Sequence, residues 1–284
     1  MAEFIKLPVG IDNFEKIRRD GFYYVDKTDY IPKLEDYNAP VFLRPRRFGK
    51  SLLVSTLACY YDRTKAHRFE ELFGGTWIGN HPTKEHNSYM IIRYDFSKMV
   101  MADTIEGLAQ NFNDLNCGPV DVMVEHNRDL FGDFQFTTRG DASKMLEEVL
   151  NYARSHEFPK VYLLIDEYDN FTNVVLNEQG KEVYHALTHA SGFYREIFKK
   201  FKGMFERIFM TGVSPVTLDD LTSGFNIGWN ISTDHQFNMM LGFSETDVRE
   251  MIQYYKDAGQ LPGNTNIDAM IEEMRPWYDN YCFA

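Results

Sequence analysis

Pro40-Val41-Phe42-Leu43 is a short apolar run that leads straight into Arg44-Pro45-Arg46-Arg47-Phe48-Gly49-Lys50-Ser51. The second stretch fits the phosphate-loop pattern G-x-x-x-x-G-K-[ST] at seven of eight positions, with Arg44 where the first glycine would stand. Beyond it, Leu52, Leu53, Ser55, Thr56, Leu57 and Tyr60 recur with a helical period. Strand, loop and helix follow in the order the motif requires. Such a loop wraps phosphate oxygens in backbone N–H groups, with the next helix aiming its N-terminus at them. Gly49 stands where a side chain would collide with phosphate, Lys50 would reach the β- and γ-oxygens, and the Ser51 hydroxyl would coordinate Mg²⁺. The expected nucleotide-binding residues are Arg44, Pro45, Arg46, Arg47, Phe48, Gly49, Lys50, Ser51 and Leu52. The bland alternative is a basic turn that caps a helix. Arg46 and Arg47 stay open between neutralising a triphosphate and pairing with structural carboxylates.

Further along, Val161-Tyr162-Leu163-Leu164-Ile165 is an apolar strand ending in Asp166-Glu167-Tyr168-Asp169, the Walker B form. In a parallel sheet these carboxylates fall at the strand's carboxyl end, where sites form in open α/β folds. Asp166 is expected to hold Mg²⁺ through water, and Glu167 to polarise the attacking water as general base. A base beside the metal suits hydrolysis better than transfer to a second substrate. Thr211 ends a third apolar strand, Arg207–Thr211, and is the candidate sensor of the γ-phosphate or attacking water. Asp95 and Arg249 are weaker candidates, with a loop cap and a solvated arginine as their ordinary readings.

The surrounding chain is consistent with one α/β core. A strand is expected over Met90–Phe96. An amphipathic helix carries Ile105, Leu108, Ala109, Phe112 and Leu115 and should end at Gly118-Pro119. A second helical stripe runs from Ala142 to Ala153. A long helical region from Val183 to Phe201 should break near Gly192, a last strand is expected over Phe237–Phe243, and two helices follow through Val248–Tyr255 and Ile267–Met274. Buried strands alternating with helices predict a mostly parallel sheet covered on both faces.

Composition narrows the function classes. The 284 residues carry 30 Lys+Arg against 42 Asp+Glu, a net charge of −12, which argues against a chain that coats nucleic acid or an anionic membrane over its whole surface. Within that acidic chain, residues 44–50 hold four cations and no acid. Cys59, Cys117 and Cys282 are scattered, with no zinc-type spacing, so a reducing, cytoplasmic setting is the simplest expectation. The start shows no secretory pattern, and no apolar run approaches the roughly 20 residues of a membrane span.

With these residues in view, the chain resembles the AAA-ATPase-like P-loop domains of bacteria and archaea. The resemblance takes in Leu7-Pro8-Val9-Gly10 with Phe14, Tyr24-Val25-Asp26-Lys27-Thr28, the loop Phe42–Ser51, Asp95-Phe96-Ser97, Asp166–Asp169, Thr211-Gly212-Val213-Ser214-Pro215 and Leu241-Gly242-Phe243-Ser244. It closes on Trp277-Tyr278-Asp279-Asn280-Tyr281-Cys282-Phe283, where Asn280 replaces the usual glycine. An arginine in the first loop position is the family's habit. The resemblance implies a P-loop NTPase of the additional-strand type, a three-layer core over residues 1–235, with a last strand and helical lid over 236–284. It also implies that such chains often continue into a PD-(D/E)XK nuclease-like domain. An aromatic end would expose apolar surface, so a longer natural chain or a partner is expected there. Tyr23–Thr28 is expected beside the adenine.

Three functions remain in play. The first is Mg²⁺-dependent ATP hydrolysis with Lys50, Glu167 and Thr211 as catalytic residues and Ser51 and Asp166 on the metal. The second is a nucleotide-binding switch with negligible turnover that governs a nuclease-like or other partner domain. The third, a nucleic-acid module using the basic loop, is not supported by the acidic total. A homo-oligomer is compatible with the first two, although no residue demands it.

Overall fold

A computed structural model describes residues 5–189, 192–214 and 228–278. Its centre is a sheet of five strands: β1 (Pro40–Leu43), β2 (Met90–Asp95), β3 (Val161–Asp166), β4 (Arg207–Gly212) and β5 (Trp229–Asn230). The order is β2-β3-β4-β1-β5, and every pairing is parallel. β4 therefore stands between the strand that enters the phosphate loop and the strand that ends in Asp166. This is the additional-strand arrangement.

Successive residues of a strand face opposite sides of a sheet, and the sequence uses both sides. Val41, Leu163, Ile165, Ile208 and Met210 enter one core, whereas Phe42, Tyr162, Leu164 and Phe209 enter the other. The second core is covered by α1 (Phe14–Arg19), α2 (Ile31–Leu34), α3 (Lys50–Tyr61), α4 (Phe69–Phe73) and α5 (Trp77–Asn80). The first lies under α6 (Ile105–His126), α7 (Arg128–Phe131), α8 (Ala142–Ser155), α9 (Asn170–Glu178), α10 (Lys181–Thr188) and α11 (Phe193–Met204). Burial on both faces explains why β1, β3 and β4 read as continuous apolar runs rather than alternating ones.

Two expectations fail. The helix starting at Ile105 does not end at Gly118-Pro119 but continues to His126 with Pro119 inside it. A proline in a helix costs about 3 kcal/mol. The same buried face resumes beyond it with Val120, Met123 and Val124, and each such side chain contributes about 1.5–3 kcal/mol on burial. Burial wins. The second failure is the strand at Phe237–Phe243. That stretch is a tight turn, opened by a 3₁₀ segment at His235–Phe237, and the fifth strand is Trp229–Asn230 instead. Phe237 and Met240 are fully buried; they anchor a turn, and their apolar character imitated a strand. The break near Gly192 is present, since α10 stops at Thr188 and α11 starts at Phe193.

The C-terminal helices are α12 (Glu245–Asp257) and α13 (Ile267–Tyr278). Ser244 and Asp247 form a reciprocal capping box that fixes the start of α12. Arg249 bridges to Asp268 at 2.6 Å and Arg275 to Glu245 at 2.6 Å, tying the two helices together. Lys27 reaches Asp247 at 2.6 Å, and the Tyr23 ring packs against Tyr254 and Tyr255 at 5.4 and 5.9 Å. Residues 190–191 within the helical region from Val183 to Phe201, Pro215 and the aromatic end Asp279–Phe283 lie outside the described residues. No helix among the described residues is long and apolar enough to cross a membrane.

Candidate nucleotide site

β1 delivers the chain to the carboxyl edge of the sheet, and the loop turns there through two left-handed residues. Arg47 holds φ 70° and Gly49 holds φ 93°. A side chain is strained in that region, which is a local reason for Gly49, whereas Arg47 is held there at some cost. Backbone that turns in this way forms a concavity of N–H groups suited to an anion. Among the described residues, the N–H groups of Arg46, Arg47, Gly49, Lys50, Ser51 and Leu52 make no hydrogen bond within the chain. No side chain caps α3. These donors fit a phosphate chain.

Arg46 and Arg47 are exposed. Alone among the described arginines they have neither an ion pair nor a hydrogen bond, so no structural carboxylate has claimed them. Arg44 is different. Its side chain is buried, donates to the carbonyls of Leu43 (2.9 Å) and Ser232 (2.8 Å), and lies over the Phe42 ring at 4.2 Å. Burial lowers its guanidinium to about 10. The arginine in the first loop position thus braces the loop's root against the segment after β5, and its backbone N–H meets the Gly212 carbonyl at 3.2 Å.

Lys50 opens α3 with its side chain only 2% exposed, donating to the Pro45 carbonyl at 3.1 Å and lying 3.2 Å from Glu167. Glu167 follows the last residue of β3 at φ 53°, a bend that swings its carboxylate to the lysine. Asp166 is buried and accepts the Thr211 hydroxyl at 2.7 Å, with Arg93 of β2 at 3.8 Å. Lys50, Glu167, Asp166 and Thr211 are therefore brought together by three adjacent strands. Ser51 lies one residue along α3 from Lys50, and its hydroxyl has no hydrogen-bond partner among the described residues.

Other candidates take ordinary roles. Asp95 caps the turn after β2, accepting from the Ser97 backbone and hydroxyl and pairing with Lys98 at 3.1 Å. Burial raises its carboxyl, but these partners outweigh burial and leave it below the usual range. Arg249 is held by Glu245 and Asp268. The Tyr23–Thr28 segment runs between α12 and α1, with the Tyr23 ring against Tyr254 and a half-buried Tyr24 ring against Phe14 at 5.3 Å.

Two residues gain roles the sequence had not suggested. Arg93 was legible only as a charge in the otherwise apolar Met90–Tyr94 run. Asp169, quoted as part of the acidic tip, is fully buried and accepts from the backbone N–H groups of Val213 (3.0 Å) and Ser214 (2.6 Å). Among the described residues there is no cluster of three or more His, Cys, Asp or Glu able to cage a metal. Mg²⁺ does not ask for one, because it keeps several waters and takes one or two carboxylates plus substrate phosphates.

The family model described as Predicted AAA-ATPase matches residues 8–222. A protein described as "Uncharacterized protein in vnfD 5'region" from Azotobacter chroococcum mcd 1 is 30% identical over 287 residues, covering 97% of this chain and 48% of that protein. The chain thus spans about half the length of this curated relative. No solved structure matches.

Proposed function

Since the chain belongs to the AAA-ATPase-like family, we propose that it binds a nucleoside triphosphate with Mg²⁺ and hydrolyses it. The observation that carries this reading is the meeting of Lys50 and Glu167 at 3.2 Å, beside the Thr211–Asp166 hydrogen bond and a loop in which the N–H groups of Arg46, Arg47 and Gly49–Leu52 make no hydrogen bond among the described residues. The loop from Arg44 to Leu52 would bind the phosphates, with Lys50 and the two partner-free arginines neutralising charge that grows in the transition state. Ser51 and Asp166 would hold the metal, which when bound supplies electrostatic stabilisation of the transferring phosphoryl group. Glu167 would take the proton of the attacking water. Thr211 would hold Asp166 in its metal-facing orientation.

The Lys50–Glu167 contact also favours a second reading, a nucleotide-governed switch with little turnover. In it the base stays paired to the lysine, and the bound triphosphate controls a further domain, nuclease-like or otherwise. In either case residues 1–235 would serve as the core and 236–284 as the lid, acting in the cytoplasm with a further domain or a second copy of the chain.

A melting series with ATP, GTP and ADP, with and without Mg²⁺, tests the shared premise. Binding to the folded state alone adds about 2.7 kcal/mol of stability at a hundredfold excess over Kd. Lys50→Ala should abolish the shift; a shift that survives it means the phosphates bind elsewhere. Phosphate release by the wild-type chain then separates enzyme from switch.

A further inference from the structure

The turn before α12 touches the phosphate loop at three points. The Gly242 N–H donates to the Phe48 carbonyl at 3.3 Å. The Phe48 ring lies against Gly242 so closely that a Cβ there would meet its Cδ1 at 3.3 Å, and Gly242 itself holds φ 81°. Leu241 reaches over Gly49, 3.9 Å from where a Cβ would stand. Just upstream, Phe237 and Met240 are fully buried and hold the turn in place.

The next residue, Phe243, does the opposite. It is 67% exposed, and among the described residues its ring meets no other ring. Ser244 follows at once as the cap of α12, and Asp247 in the first turn of that helix binds Lys27. An exposed aromatic residue thus stands in the chain between a turn that contacts the phosphate loop and a helix start that binds the N-terminal segment. Consecutive Cα atoms lie about 3.8 Å apart, so one residue beyond the Gly242–Phe48 contact places this ring within roughly 10 Å of the loop's backbone.

We propose that Phe243 is the platform on which the base of the bound nucleotide stacks. The inference rests on the nucleotide reading above and adds the residue that recognises the base. Phosphates in the 46–52 cradle leave the ribose and base to extend outward, and Phe243 is the exposed ring attached to that cradle's rim. Ring-on-base stacking is tolerant, because every base has a π-face. Phe243 therefore confers affinity for a nucleoside over bare polyphosphate, and the same increment for adenine and guanine.

Titration calorimetry on the full chain tests this with two probes, Mg·ATP and Mg·tripolyphosphate. Phe243→Ala should weaken ATP and GTP by about tenfold or more while leaving tripolyphosphate within twofold. Phe243→Trp should restore ATP binding and show fluorescence quenching by ATP, beyond any wild-type change, that tripolyphosphate does not produce. Equal weakening of ATP and tripolyphosphate by Phe243→Ala would mean that the residue only shapes the loop and would overturn the proposal. Unchanged ATP binding would overturn it too. A wild-type chain that binds neither probe overturns the nucleotide reading itself, whereas one that binds both equally overturns only the role of Phe243.

Discussion

Both ends of the parallel sheet are rich in charge, and they arrange it in opposite ways. At the amino end, Arg207 donates to the carbonyls of Glu35 (2.7 Å) and Tyr37 (2.9 Å) and pairs with Glu85 at 2.5 Å. Glu85 also accepts from the Tyr89 hydroxyl, and Glu35 accepts from Tyr61 and Thr83. Burial pushes the Glu35 carboxyl up, and these donors only partly offset it. That network is closed. At the carboxyl end, Arg46, Arg47 and a run of backbone N–H groups have no partner among the described residues, and Arg47 and Glu167 are held in left-handed conformations. Buried polar groups in folded proteins normally find partners. Where one end satisfies that rule and the other leaves donors and strain exposed, the open end is where the proposed nucleotide would supply the acceptors.

Substitutions can break this contrast, beginning with the largest expected effect. Glu167→Gln at the open end should lower phosphate release by about 10²–10⁴-fold while the Mg·ATP melting shift persists; turnover within threefold of wild type would place the base elsewhere. Arg207→Ala at the closed end should do the reverse. It strands Glu85 and two carbonyls, and denaturant unfolding should report a loss of about 2–3 kcal/mol with nucleotide binding intact.

Thr211→Val removes the hydroxyl that Asp166 accepts. It should cost about 1–3 kcal/mol for the buried acceptor left without its donor, together with a roughly tenfold fall in turnover. A loss of stability alone would make Thr211 structural. The smallest effect belongs to Asp247, where burial raises the carboxyl but Lys27 and the Ser244 cap prevail and hold it below its usual value. A carboxyl lowered by folding stabilises at neutral pH, and that share is lost as pH falls below about 3.9 toward the folded value. Asp247→Asn should flatten the acid limb of stability and change melting at pH 7 by less than about 1 kcal/mol; an unchanged acid limb would show that the Lys27 pair contributes nothing.

What could be read in advance follows from how local each signal is. The Pro40–Leu43 strand, the loop and α3 are contiguous, as are Val161–Ile165 and its acidic tip, so motif and period sufficed. The parallel sense of the strands followed from buried runs alternating with helices, and their additional-strand order only from the family resemblance. The failures were tertiary. Nothing local told that the face containing Leu108 and Phe112 continues past Pro119, and Trp229–Asn230 is too short to show a period. Phe237 and Met240 looked like strand because anchoring a turn and building a sheet draw on the same residue types. The Glu35–Arg207–Glu85 network joins positions 50 to 172 residues apart and leaves no motif. The partners of Arg44 were hidden for the same reason, since Ser232 lies 188 residues away.

Asp169 has a mechanical consequence. Its buried carboxylate takes both N–H groups that follow β4, the Tyr168 N–H bonds to the Thr211 carbonyl, and the Tyr168 hydroxyl bonds to the Ser214 carbonyl. The bend carrying Glu167 and the exit of β4 are consequently one hydrogen-bonded body, and separating them would strand a charge away from water at considerable cost. Any ligand that draws Glu167 off Lys50 by moving this bend must carry residues 213 and 214 with it. The candidate phosphate site thus has a lever already attached, whose far arm is Val213 and Ser214.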